Sequence, residues 1–208
     1  MNVFCNLLCI LIALSFAACS KNSNAQSNSQ AGVASQTLTS LQGKWIESNC
    51  QTFGSGGSQT SGQLLLTITE SQWTYSYRSF KTPNCAGSIS SSIDSQFTYS
   101  VPGATTTDPN LLYVDLKMGQ ISATMLDQDT ANAVNAISYC GYSDWVVGVP
   151  KDLDGNTCIK GWSTGTMQYT IAKSDSLHLQ VGQTDSTHSG SSPNQRTQAL
   201  SSDVFNRQ

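Results

Sequence analysis

The chain has 208 residues, 38% hydrophobic and 11% charged, with a formal net charge of −3. Charged residues at under half the ~25% usual in soluble globular proteins leave a neutral polar surface of serine, threonine, glutamine and asparagine. The slight acidity offers no basic field to nucleic acid, which excludes DNA and RNA as expected partners.

The first segment, MNVFCNLLCILIALSFAAC, carries an apolar core from Leu7 to Ala18 and then Cys19. That pattern predicts a secretion leader. The ending Ser15-Phe16-Ala17-Ala18-Cys19 resembles a bacterial lipobox, with Phe16 in place of the usual leucine. The resemblance implies that residues 1–18 are removed and that Cys19 becomes an acylated first residue, anchored in a membrane. Ser20, where a retained lipoprotein would have Asp, implies passage to the outer membrane of a Gram-negative cell. An ordinary leader cut near Ala18 and an uncleaved anchor are the other readings; the anchor is short against the ~20 apolar residues of a span. Residues 19–38 have almost no large apolar side chain and predict a flexible tether. Its reach is about 25 Å.

Of seven cysteines, Cys5 and Cys9 belong to the leader and Cys19 to the lipid. Cys50, Cys85, Cys140 and Cys158 remain, which suits two disulfides in an oxidising periplasm or at a cell surface. Sequential pairing closes the shorter loops, so Cys50 with Cys85 and Cys140 with Cys158 is the favoured connectivity. A four-thiolate zinc site is the rival reading, although no spacing is C-x-x-C.

Leu41 to Cys50, LQGKWIESNC, reads as the first strand of a domain spanning 39–182. Gln51 to Ser61, rich in glycine and serine, reads as a long loop. From Gly62 the apolar residues alternate, which predicts strands with one buried face. Leu64, Leu66 and Ile68 share one side, and Trp73, Tyr75 and Tyr77 share the next, with Glu70 to Gln72 as a hairpin turn. From Ser88 to Val101, Ile89, Ile93, Phe97, Tyr99 and Val101 face one way and a polar set faces the other. Leu112, Val114, Leu116 and Met118 follow after a turn-rich loop, then a break at Gly119 and a shorter strand to Leu126. Asp129 to Tyr139 changes period and predicts one short helix, capped by Asp129 or Thr130. Trp145 to Val149 and Thr157 to Trp162 flank a connection containing Asp154-Gly155, a turn signal. Met167, Tyr169 and Ile171, then Leu177, Leu179 and Val181, form a closing hairpin. Residues 183–208 read as a loose polar tail with a return contact near Leu200 to Phe205.

These elements predict an all-β fold, an antiparallel barrel of about 8–10 strands with one short helix, since closure removes exposed edges. An immunoglobulin-like sandwich is the runner-up. Gly43-Lys44-Trp45 resembles the G-x-W that opens the first strand of lipocalins, and with the leader, the cysteines and the hairpin order the chain resembles lipocalin-like bacterial lipoproteins. That resemblance implies a structural role for Gly43 and Trp45, the tryptophan plugging the closed end of the barrel. Only Arg196 and Arg207 are placed to be the arginine that packs over it. The helix departs from the lipocalin order by preceding the last strands.

Catalytic patterns lack their contexts. Gly161-Trp162-Ser163-Thr164-Gly165 fits G-x-S-x-G but precedes a strand and not a helix. His178 falls on the solvent side of a strand and His188 in the tail. Asp152 to Asn156 resembles the start of a calcium loop without the downstream glutamate, so a turn is expected and no metal or cofactor. A binding role is expected instead of an enzyme. Trp73, Tyr75, Tyr77, Phe97 and Tyr99 are the candidate lining for an apolar ligand such as a fatty acid or other lipid; core filling is the competing role for the same rings. The alternative function is a protein-recognition or protease-inhibitor module with a filled barrel.

Overall fold

A computed structural model describes residues 39–54, 59–156, 158–159 and 163–208. The leader, Cys19 and the tether lie outside the described residues. The strands are β1 (Gly43–Glu47), β2 (Gln51–Phe53), β3 (Thr60–Ile68), β4 (Gln72–Phe80), β5 (Ile89–Ala104) and β6 (Leu111–Met125). They continue with β7 (Lys151–Asp152), β8 (Met167–Ser174), β9 (His178–Gln183), β10 (Ala199–Leu200) and β11 (Phe205–Arg207). β1 pairs with both β3 and β11, so the path β1-β11-β9-β8-β6-β5-β4-β3 returns to its start as an eight-strand closed barrel. The short strands prolong existing staves: β2 follows β1 along β3, β7 lies beside β6 next to β8, and β10 precedes β11 along β9. The result is an antiparallel, lipocalin-like all-β barrel in an up-and-down order.

Two expectations about extent are corrected. The segment from 183 is no loose tail: the return contact expected near Leu200 to Phe205 is present as strand pairing and supplies the last stave, with Phe205 opposite Leu179 on one side and Glu47 on the other. Its pairing is carried by the backbone of a three-residue strand, too short to show an alternating period, so the domain runs past 182 to Arg207. The expected loop Gln51 to Ser61 is largely paired strand, with Gln51 opposite Gly62 and Phe53 opposite Thr60; its tip, 55–58, lies outside the described residues. Cys50 falls in the break between β1 and β2, and residues 39–41 are helical.

Inside the wall, β6 is one strand of fifteen residues, where the sequence suggested two. Its pairing slips at Gly119, since Gln96 opposes Gln120 while Phe97 opposes Met118. A bulge inserts one residue, so inward positions change from even to odd without the strand ending. Met118 and Ile121 are accordingly both buried.

The helix is Gln128–Ala136, and its cap is Asp127 in place of the expected Asp129 or Thr130: Asp127 accepts from the Thr130 backbone N–H at 3.0 Å. Lys81, on the β4–β5 connection, pairs with Asp127 and Asp129 and ties that loop to the helix start. Residues 145–149 are irregular and form no strand, held by Asn135, whose amide donates to the Trp145 carbonyl at 3.0 Å. Residues 157 and 160–162 lie outside the described residues. Both disulfides have the expected connectivity, Cys50 with Cys85 and Cys140 with Cys158.

One end of the barrel is plugged. Trp45 is fully buried, and its indole N–H donates to the Leu41 carbonyl at 2.9 Å. The Arg207 guanidinium stacks 4.1 Å from the Trp45 ring centre and donates to the Gln42 and Ser40 carbonyls. Gly43 makes this possible: at φ +143° it adopts a backbone that side chains disfavour, and a Cβ there would stand 2.8 Å from Arg207 Nη1. Further round the ring, 190–197 fills the gap where β8 and β9 part. Thr197 there accepts from the Ile171 N–H, and Arg196 bonds the Val114 and Thr170 carbonyls and Asp115.

Candidate functional site in the barrel interior

Directly opposed residues of antiparallel strands share a face, so the register defines successive inward rows across β3, β4, β5 and β6. Beginning at the plugged end, these are Ile68, Trp73, Phe97 and Met118, then Leu66, Tyr75, Ser95 and Ile121. Next come Leu64, Tyr77, Ile93 and Ala123, and finally Gly62, Ser79, Ser91 and Met125. The first row is wholly buried, whereas in the third Leu64, Tyr77 and Ile93 are only partly buried, as are Ser79 and Ser91 in the fourth. The interior is therefore filled near Trp45 and loosens toward the other end on the β3–β5 side. On the β6 side it stays covered: Ala123 and Met125 belong to one core with Ala131, Val134, Trp145 and Leu153 of the long β6–β7 connection and its flank.

The candidate aromatic residues divide between these zones. Trp73 meets Tyr75 at 6.0 Å and Tyr99 at 5.8 Å between ring centres, and Tyr75 meets Phe97 edge-on at 5.8 Å. Tyr99 turns its hydroxyl to the Thr69 carbonyl at 2.7 Å and braces the β3–β4 turn. Phe97 and Tyr99 thus build the packed end, while Tyr75 and Tyr77 occupy the rows above it. Tyr77 leans over β3: a Cβ on Gly62 would fall 1.8 Å from its hydroxyl oxygen, so only glycine leaves room for the phenol.

Two polar atoms in this interior are buried outside ordinary hydrogen-bond geometry, the Tyr77 hydroxyl and Trp73 Nε1, although the latter still acts on the neighbouring Tyr75 phenol. Such groups usually cost about 1–3 kcal/mol when unsatisfied. Burial pushes the phenol of Tyr75 well above its usual range and that of Tyr77 up to about 12, the latter with a smaller contribution from Glu47. Both stay neutral hydroxyls at physiological pH.

Glu47 is a site residue that pattern reading passed over. It is 4% exposed and lies two positions beyond Trp45 on the inward side of β1. Its carboxyl accepts from the Leu64 N–H at 3.0 Å and from Gln51 Nε2 at 3.4 Å, and no described cation pairs with it. Burial raises its pKa, opposed by the Leu64 N–H and reinforced by the negative charge of Asp203. The readable signal was an acid at the period-two position after Trp45, where alternation demands an inward side chain.

The nucleophile-like and basic residues are dispersed. Ser163 shares a hydrogen bond with Thr166, His178 bonds Asp175, and His188 bonds Asp185. Gly161 and Trp162 lie outside the described residues. Asp152 and Asp154 act as turn acceptors, from the Asp154 and Thr164 N–H groups respectively. Compared with known proteins, the chain matches no protein-family model, and no curated protein is found to resemble it.

Proposed function

We propose that the chain is a lipid-anchored lipoprotein of the Gram-negative outer membrane, whose barrel binds a small hydrophobic ligand and carries out no catalysis. The anchor reading rests on the lipobox-like ending at Cys19 and on the tether that follows it. The ligand reading rests on one observation: the Tyr77 hydroxyl is buried without a hydrogen-bond partner, in an interior whose side chains are only partly buried above the plugged end. Pockets for small molecules combine apolar walls with a few placed polar groups, which is the composition of these rows. Native mass spectrometry of the delipidated protein exposed to lipid extracts tests it. A retained adduct is the expected outcome, and a bare spectrum with every extract removes the ligand. For the anchor, Cys19→Ser should leave protein that no longer enters a detergent phase; unchanged partitioning removes the acyl group from the account.

A second reading, a tethered protein-recognition module, is favoured by the apolar side chains on the β6–β7 connection. Ile137, Val146 and Val149 are 54%, 58% and 49% exposed on that segment. Under this reading Val146→Asp abolishes capture of a protein partner and leaves any ligand adduct intact.

A further inference from the structure

Toward the open end, the interior carries an acid that only accepts hydrogen bonds, Glu47, beside a hydroxyl that accepts as well as donates, Tyr77. Glu47 and the Tyr77 hydroxyl converge from opposite sides of β3. Tyr77 places its oxygen over Gly62, Gly62 pairs with Gln51, and the Gln51 amide holds one oxygen of Glu47. The other Glu47 oxygen takes the Leu64 N–H, the next inward position along β3 from Gly62. Asp203 lies close enough to add its negative charge, with its own carboxyl accepting from the Ser201 hydroxyl at 3.0 Å. No described lysine or arginine pairs with either acid.

We propose that the barrel selects apolar molecules whose polar end donates hydrogen bonds, an amine or an alcohol, received by Glu47 and the Tyr77 hydroxyl above Gly62, and that it disfavours carboxylate amphiphiles. A fatty acid would bring a second negative charge against a buried carboxylate, and like charges in such surroundings oppose binding strongly. A protonated amine gains the opposite interaction, and an alcohol donates without charge. The Glu47 carboxyl retains free lone pairs for either, since each oxygen accepts a single described bond. This selection rests on the ligand-binding reading and narrows it.

The test uses the purified full chain at about pH 8 and probes of equal chain length, dodecylamine, dodecanol and dodecanoate, titrated by tryptophan fluorescence. The native chain should bind dodecanoate at least about tenfold more weakly than either donor-headed probe. Glu47→Gln, which keeps an acceptor for the Leu64 N–H, should bring dodecanoate to within about threefold of dodecanol. Tyr77→Phe should weaken the amine and the alcohol by about threefold to tenfold, the share of one hydrogen bond. Circular dichroism and melting of each variant establish that the barrel is intact. Dodecanoate binding as tightly as dodecanol to the native chain, or a ratio unmoved by Glu47→Gln in a folded protein, overturns the selection while leaving the ligand reading standing. Failure of all three probes to bind overturns both.

Discussion

Trp45 joins three separate stretches of chain through one side chain. Its N–H fixes the 39–42 entry segment, its ring packs in the core, and its face carries Arg207 from the last stave. Trp45→Ala should therefore cost about 3 to 5 kcal/mol in a denaturant titration, as for large aromatic residues removed from cores. Arg207 is exposed, so its stacking contributes less, and Arg207→Ala should cost about 1 kcal/mol. Equal losses at the two positions would show that the ring does not fill the plug. The buried phenols give a second outcome at this scale. Tyr77 keeps its proton to about pH 12 in the folded protein, whereas an unfolded tyrosine releases it near 10. The folded state thus binds more protons in that window, and stability must fall as pH rises from 10 to 12. Absorbance titration should show Tyr75 and Tyr77 ionising late, together with unfolding, and Tyr77→Phe should flatten part of the alkaline loss of stability.

Among the elements, the last stave decides closure. β11 is three residues long, yet its removal would leave β1 and β9 with unpaired edges and expose Phe205's place against Leu179 and Glu47. A chain ending after Gln183 should lose cooperative unfolding and expose apolar surface to a dye, which a dispensable tail would not cause. The helix cap is a smaller lever: Asp127→Ala should cost about 1 kcal/mol, through loss of the Thr130 bond and of the tie to Lys81. These cases also show what the chain discloses in one dimension. Alternation exposed β3, β4 and most of β5 because each has one dry face, and the inward ring cluster of Trp73, Tyr75, Phe97 and Tyr99 came with it. Gly119 concealed the unity of β6, because a bulge breaks the period without breaking the pairing. Phe205 carried too little local pattern to mark a strand, and Glu47 was hidden because an inward acid contradicts the apolar pattern that reveals inward positions.

At the scale of the whole molecule, the barrel has ends of different construction, and neither described disulfide takes part in the Trp45–Arg207 plug. The plug is held by Trp45, Arg207 and the first inward row, with no disulfide to it among the described residues. Both described bridges lie in connections between strands. Cys50–Cys85 ties the β1–β2 break to the β4–β5 connection beside Gly62, where Cys85 Sγ approaches the Gly62 carbonyl. Cys140–Cys158 closes the connection that covers Ala123 and Met125. With sequence separations of 35 and 18, chain entropy assigns them about 4 and about 3 kcal/mol respectively. Ring closure, however, depends on the pairing of β1 with β3 and β11, in which none of the four bridged cysteines is a paired residue. Cys140→Ser with Cys158→Ser should therefore lower global stability while the ring survives. Hydrogen exchange should quicken first in the 126–159 connection, and the amides of β3, β4 and β5 near Trp73 should remain the slowest. If those amides instead exchange together with the connection, the two ends fold as one cooperative unit and the plug does not stand alone. The same variant informs on access, because loosening the cover over β6 while keeping Glu47 and Tyr77 in place should speed ligand entry and exit with little change in which headgroup is preferred.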